Sequence, residues 1–165
     1  MNEEKILVSA CLAGRNCKYN GKNNLNEKIL KLVDEGKAVL VCPEQLGGLP
    51  TPRVPSEILS KRIEEIKNFN NKQEKDSTNI KSLKTRVINK EGEDVTKQFT
   101  KGAEETLKIA KKYNIKKAIL KSKSPSCGYG KIYDGSFSGN LIEGNGITTN
   151  LLLENGIKIM SSDEF

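Results

Sequence analysis

The feature that most constrains this chain is a short apolar run that ends at a cysteine, because the pattern occurs three times. The runs occupy residues 5–10, 38–41 and 118–120, and the cysteines that follow them are Cys11, Cys42 and, after a Ser/Pro segment, Cys127. Short apolar runs bounded by helical and turn signals are typical of buried parallel strands. Loops at the carboxyl ends of such strands line the ligand crevice of an open α/β sheet. The pattern therefore predicts that three distant thiols meet at one edge of one sheet.

The segments between these runs predict the rest of the fold. Helical periodicity or helix-ending glycines appear at residues 25–36, 56–68, 95–113 and 146–154, and a last strand is predicted at 157–160. A polar excursion covers residues 70–84, and residues 128–139 form a Gly/Ser-rich connection. A short hairpin or an extended lid segment is predicted from residue 85 to the turn at Glu91-Gly92. We therefore predict a single α/β domain over residues 1–165, with an open, mostly parallel, Rossmann-like sheet, helices on both faces and the site at the carboxyl ends of the strands.

Residue usage excludes several kinds of active site. The chain has no histidine, which removes Ser-His and Cys-His catalytic pairs and every zinc site that needs an imidazole. It also has no Cys-x-x-Cys pair, which argues against a zinc ribbon and a thioredoxin-type motif. Acid–base chemistry must therefore fall to Glu, Asp, Lys, Tyr, Ser, Cys or a metal-bound water.

Charge and hydropathy indicate the compartment and the type of partner. No apolar run reaches the roughly 20 residues of a membrane span, and the acidic N-terminus does not resemble a signal peptide. We therefore predict a cytoplasmic protein whose four cysteines are metal ligands or catalytic groups rather than disulfides. The net charge of +7 favours an anionic partner such as a nucleotide or nucleic acid. A Lys-rich solvated surface is the alternative explanation of that charge.

Three thiolates without a fourth protein ligand would leave a metal site open. In a [4Fe-4S] cluster, one iron would then be free to bind a substrate, and iron in a sulfur-rich site suits a sulfur-bearing one. The alternative is that the cysteines are small buried residues or isolated thiols. Cys17 lies in a polar loop, and we leave it out of the first-choice ligand set.

Polar residues near two of the cysteines are candidates for acid–base and binding roles. Glu44 follows Cys42 by two positions, so it could activate water or carry a proton; a solvated surface charge is the alternative. Ser124 and Ser126 flank Pro125 and could bind a substrate or cap a turn.

Five motifs together resemble the thiouracil desulfidase (TudS) family over nearly the full chain. They lie at residues 8–14 (VSACLAG), 42–53 (CPEQLGGLPTPR), 92–96 (GEDVT), 120–128 (LKSKSPSCG) and 132–137 (IYDGSF). The resemblance implies a [4Fe-4S] cluster held by Cys11, Cys42 and Cys127, with the fourth iron open to the thiocarbonyl sulfur of a thiolated uracil. Water then replaces sulfur at the ring carbon without net redox change. The catalytic carboxylate of the family falls on Glu44 and its helper serine on Ser124.

The leading hypothesis is thus a desulfidase acting on thiouracil, on 4-thiouridine monophosphate, or on both, with Arg53, Lys131 or the glycine-rich loop as phosphate contacts. Its partner would be a small thiolated nucleobase or nucleotide, with no membrane and no stable nucleic-acid partner. A basic RNA-binding module is a second hypothesis, which the scarcity of aromatic residues disfavours. A sulfur-transfer enzyme acting on intact tRNA is a third.

Overall fold

Four strands form one parallel sheet, whose order across the sheet is residues 38–41, 6–9, 117–120 and 158–161. A computed structural model describes residues 4–59 and 85–165 of the chain. The four strands are β1 (Ile6–Ser9), β2 (Ala38–Val41), β5 (Lys117–Leu120) and β8 (Lys158–Ser161). In the register, Ile6 lies opposite both Ala38 and Lys117. The chain moves outward in opposite directions on the two sides of β1, which is the topology that opens a crevice at the carboxyl ends of the central strands.

Helices cover both faces of this sheet, as predicted. They are α1 (Glu27–Asp34), α2 (Pro43–Leu46), α3 (Thr96–Lys112) and α4 (Ile147–Glu154). Successive strand residues point to opposite faces: Leu7 packs with Ala110 of α3 and Leu152 of α4, whereas Val8 packs with Ile29 of α1. The α/β architecture and its mostly parallel sheet therefore agree with the sequence prediction.

The N-terminus of α1 illustrates how local sequence sets an element. The side chain of Asn26 accepts hydrogen bonds from the amides of Lys28 and Ile29, which is the N-cap arrangement that this residue type favours. Ile29 is fully buried. Gly36 has a φ of +71°, where a glycine ends a helix without steric cost. The turn from α1 into β2 thus brings the chain back to the sheet beside β1.

Two antiparallel pairs lie outside the main sheet, and one of them corrects the sequence prediction. The helix predicted at residues 56–68 is wrong at its start, because β3 (Ser56–Ile58) pairs with β4 (Val87–Asn89). Burial of Ile58 with Val87 in one apolar cluster explains this outcome. Residues 60–68 of that predicted helix and the whole polar excursion at residues 70–84 lie outside the described residues.

The second pair lies within the Gly/Ser-rich region and just after it. There β6 (Lys131–Tyr133) pairs with β7 (Leu141–Glu143), so part of the predicted connection is a hairpin. No helix within residues 4–59 and 85–165 is long and apolar enough to cross a membrane.

Candidate active site

A cavity of about 560 Å³ opens at the carboxyl edge of the parallel sheet. Most of the side chains around it come from the loops that follow β1, β2 and β5. All four cysteines line it: Cys11, Cys17, Cys42 and Cys127. None of the four forms a disulfide. The structure thus brings the three strand-end thiols to one cavity, together with the thiol that sequence reasoning set aside.

Each strand-end cysteine is held by the backbone of a turn. Cys11 lies in a 3-10 turn (Ala10–Ala13) directly after β1, and Cys42 is the N-cap residue of α2. The turn of Cys127 is closed by the hydrogen bond from the Gly128 amide to the Ser124 carbonyl, 2.9 Å. The first amides of α4 donate to carbonyls of the same turn. The helix start therefore fixes the Cys127 loop.

Cys17 is buried between two of the other thiols. Hydrogen bonding with the Cys17 thiol is the largest cause that lowers the pKa of Cys11 and that of Cys42, each to about 7. The same two hydrogen bonds raise the pKa of Cys17 itself. Asn24 Nδ2 also donates to Cys11 Sγ at 3.5 Å. The loop after β1 therefore folds back over the cavity, and no strand-end signal in the sequence marks Cys17.

Cys127 differs from these thiols in its environment. Burial is the main cause that raises its pKa to about 12, and hydrogen bonds with Ser9 and Ser126 oppose this effect only in part. Buried thiols lose the hydration that stabilises a thiolate. Burial therefore favours the neutral thiol form of Cys127.

Glu44 occupies the first turn of α2, and its side chain is only 16% exposed. Its Oε1 accepts from Arg53 Nε at 3.1 Å, and its Oε2 accepts from Ser126 Oγ at 3.1 Å. A carboxylate with both oxygens engaged beside the thiols is not a solvated surface charge. The alternative interpretation of Glu44 is therefore excluded by its surroundings.

Ser124 and Ser126 both line the cavity, and they have different partners. Ser124 Oγ accepts from the Cys127 amide at 2.7 Å, so it caps the turn. The Ser124 and Ser126 hydroxyls lie 3.3 Å apart. Ser126 is the serine that contacts Glu44 directly. In the sequence, the two serines beside Cys127 are equivalent candidates. Their different hydrogen-bond partners become visible only in the folded loop.

The two cations predicted to bind phosphate are placed differently. Arg53 lines the cavity, but its guanidinium already donates to Glu44, Cys17 O, Pro50 O and Thr51 Oγ1. Lys131 is exposed on β6 and is not among the residues that line the cavity. Four other lysines do line it: Lys18, Lys90, Lys121 and Lys123.

Lys121 is partly buried, and its amine is bonded to the neighbouring Ser122. Its Nζ donates to the carbonyl and the hydroxyl of Ser122 at 3.2 and 3.1 Å. Burial is the main cause that lowers its pKa, and Asp163 opposes this effect. An amine held at the cavity wall is suited to meet an anionic group of a ligand.

The donor set suits a cluster better than a single metal ion. Within the described ranges, no three Cys, Asp or Glu side chains are arranged to hold one metal ion. In an iron–sulfur cluster each thiolate binds a different iron, so the ligands stand around a larger group. Soft thiol donors on several sides of one cavity fit that requirement.

Known proteins resemble this chain over almost its whole length. A protein of Bacillus subtilis (strain 168), the uncharacterized protein YbbK, is 46% identical over 159 residues, which is 96% of each chain. A solved structure of TudS, a [4Fe-4S]-dependent thiouracil desulfidase, superposes with a TM-score of 0.79 at 38% identity. That match covers 99% of this chain and 93% of the other. Residues 6–164 match the sequence pattern of the 2-thiouracil desulfurases, and the chain therefore belongs to the 2-thiouracil desulfurase family.

Proposed function

We propose that this protein is an iron–sulfur-dependent desulfidase that exchanges the sulfur of a thiolated uracil for oxygen. Membership of the family and the likeness to a [4Fe-4S]-dependent thiouracil desulfidase support the activity. The observation that carries it to this chain is the shared cavity of the thiols and Glu44. The proposed reaction needs a metal group and a proton acceptor. The thiols can bind the metal group, and Glu44 can accept the proton.

Cys11, Cys42 and Cys127 are the proposed ligands of a [4Fe-4S] cluster. When bound, the cluster supplies a Lewis-acidic iron without a protein ligand, which withdraws charge from the sulfur of the substrate. The free thiols in this site need a reducing compartment to stay available, so we place the protein in the cytoplasm.

The overall reaction consumes one water and involves no oxidant. The water oxygen becomes doubly bonded to the ring carbon, and the carbon–sulfur double bond breaks with both of its electron pairs going to sulfur. Both water hydrogens end on that sulfur, which leaves as hydrogen sulfide. Glu44 is positioned to accept the first of these protons from water. Acid–base assistance of this kind contributes typically about 10²–10⁴-fold in rate.

We propose 4-thiouridine monophosphate as a substrate beside the free base, and the lysines of the cavity support a nucleotide substrate. Lysines 18, 90, 121 and 123 border the cavity, and the chain carries a net charge of +7. Cations near the entrance attract and hold a phosphate. The proposed phosphate contacts are therefore these lysines, since the guanidinium of Arg53 is already bonded within the site.

The test is a sulfide-release assay with anaerobically purified, cluster-loaded protein. Substrates are 2-thiouracil, 4-thiouracil, 4-thiouridine monophosphate and tRNA that contains 4-thiouridine. We expect sulfide from the nucleotide or the free base and none above background from tRNA. Glu44→Gln should keep the visible absorbance of the cluster and lose turnover. The proposal fails if loaded protein releases no sulfide from any thiolated uracil.

A further inference from the structure

We infer that Arg53 and Ser126 are positioning residues that hold one carboxylate oxygen of Glu44 each. This inference rests on the proposed role of Glu44 as the proton acceptor. The two side chains come from different parts of the fold, the loop after α2 and the loop after β5. Together they fix the carboxylate at the wall of the cavity.

Arg53 has a buried side chain that bonds to several parts of the site, and it is not a cation on the surface. Its side chain is 5% exposed, and its Nε lies 3.1 Å from Glu44 Oε1. Its Nη2 donates to the carbonyl of Cys17 at 2.8 Å, and its Nη1 donates to Pro50 O and Thr51 Oγ1. A guanidinium has five N–H donors in a rigid fork, so these contacts leave it no freedom to turn away from Glu44.

The backbone of Arg53 reinforces the same connection. Its amide donates to the carbonyl of Tyr19 at 2.7 Å. The carbonyl of Cys17 also accepts from the Cys42 thiol at 3.7 Å. Arg53 therefore ties Glu44 to the loop that carries Cys17, and through that loop to the thiol side of the cavity.

Ser126 holds the other carboxylate oxygen of Glu44. Its hydroxyl lies 3.1 Å from Glu44 Oε2, and the residue is 2% exposed. The carbonyl of Ser126 accepts from the amides of Thr148 and Thr149 at the start of α4. The hydroxyl therefore cannot follow the carboxylate if Glu44 swings out, because helix α4 holds its backbone.

Ser126 also connects Glu44 to the second serine. Its hydroxyl lies 3.3 Å from Ser124 Oγ and 3.7 Å from Cys127 Sγ. Glu44, Ser126 and Ser124 thus form one line of hydrogen-bonding groups along the cavity wall. A carboxylate that is held at both oxygens keeps one orientation toward the water it activates, which is the condition for efficient general-base action.

The test compares Arg53→Lys, Arg53→Gln and Ser126→Ala with the wild type, all loaded with cluster. Lysine keeps the charge but lacks the fork, so we expect kcat to fall about 10-fold for Arg53→Lys and about 100-fold for Arg53→Gln and Ser126→Ala, within the range of a general-base contribution. KM should stay within a factor of about three, because neither residue is proposed to bind substrate. Matched controls are Arg15→Gln and Ser138→Ala, whose side chains are exposed and do not line the cavity.

Each variant is also measured for its visible spectrum, iron content and thermal midpoint. A double variant combines Arg53→Gln with Glu44→Gln. If Arg53 acts through Glu44, the second substitution adds no further loss of kcat. Additive losses, a rise in KM alone, or full activity of Arg53→Gln and Ser126→Ala would overturn the inference. Absence of wild-type turnover would instead refute the proposed function.

Discussion

Gly47 and Gly102 face each other where α2 crosses α3. A Cβ added to Gly47 would overlap the carbonyl oxygen of Gln98, and one added to Gly102 would overlap that of Pro43. The two helix backbones are therefore in direct contact. Because α2 carries Glu44 and begins at Cys42, this contact sets the position of two proposed site residues relative to the core.

Gly102→Ala should destabilise the protein even though alanine is the better helix former. The gain in helix propensity is at most about 1 kcal/mol, whereas overpacking of a close contact costs typically about 1–3 kcal/mol. We expect a lower free energy of unfolding in denaturant and a loss of turnover, because α2 must move away from α3. Lys101→Ala is the matched control, since that neighbouring side chain is exposed. Equal stability of Gly102→Ala and the wild type would contradict the close contact.

The core of the fold was predictable because hydrophobic periodicity and turn residues agree there. The apolar runs that became β1, β2 and β5 are short, are mostly enclosed by helices and end at turns. The start of α1 follows from an N-cap residue whose side chain bonds two amides. Local signals of this kind need no knowledge of distant contacts.

The strand at Ser56–Ile58 was not predictable in the same way. Its neighbours show near-helical spacing of apolar residues, but its backbone pairs with Val87–Asn89 about thirty positions later. Glu57 also accepts from the amides of Gly135 and Phe137. Partners so far along the chain override a weak local preference, and the sequence alone gives no sign of them.

In the site, too, features that depend on local sequence were predictable, whereas contacts between residues distant in sequence were not. Cysteines at strand ends are visible in the sequence, and they do line one cavity. The contacts of Cys17 with Cys11 and Cys42 are not visible, because a polar loop must first fold back over β1. Likewise Arg53 was expected at a phosphate, but its guanidinium is used inside the site.

Replacing single cysteines tests the proposed ligand set. Cys11→Ala, Cys42→Ala and Cys127→Ala should each abolish the visible absorbance and iron content of anaerobically purified protein, because each removes one proposed ligand. Cys17→Ala should retain both. Because Cys17 is not a proposed ligand, Cys11→Ala/Cys17→Ala should match Cys11→Ala and hold no iron. Full iron content in Cys127→Ala would contradict the ligand assignment.

Thiol reactivity in the cluster-free, reduced protein should follow the environments of the cysteines. At pH 7, Cys42 should be alkylated first, because hydrogen bonding by Cys17 lowers its pKa to about 7 and it is the least buried of the four. Cys127 should react last, since burial raises its pKa to about 12 and the thiolate is the reactive form. Mass spectrometry after iodoacetamide treatment measures the order.

Cys17→Ala should move the reactivity of Cys42 to higher pH. A hydrogen bond to the thiolate favours the charged form, so its loss raises the pKa of Cys42 toward the ordinary value. Alkylation of Cys42 at pH 7 should therefore slow in the variant and recover as the pH rises. An unchanged pH profile, or Cys127 reacting as fast as Cys42, would contradict these assignments.

Substitution of Lys121 or Lys123 should change KM for the nucleotide but not KM for the free base. Both line the cavity, so Lys121→Gln and Lys123→Gln should raise KM for 4-thiouridine monophosphate about 10-fold, the typical worth of one charge-assisted hydrogen bond. KM for 4-thiouracil, which has no phosphate, should not change. Added salt should weaken binding of the nucleotide in the wild type more than in the variants, because salt screens the lysine–phosphate contact that the variants lack.

Lys131→Gln is the control variant, since the Lys131 side chain is exposed and does not line the cavity. A larger effect at Lys131 than at Lys121 and Lys123 would move the phosphate site to the β6–β7 hairpin.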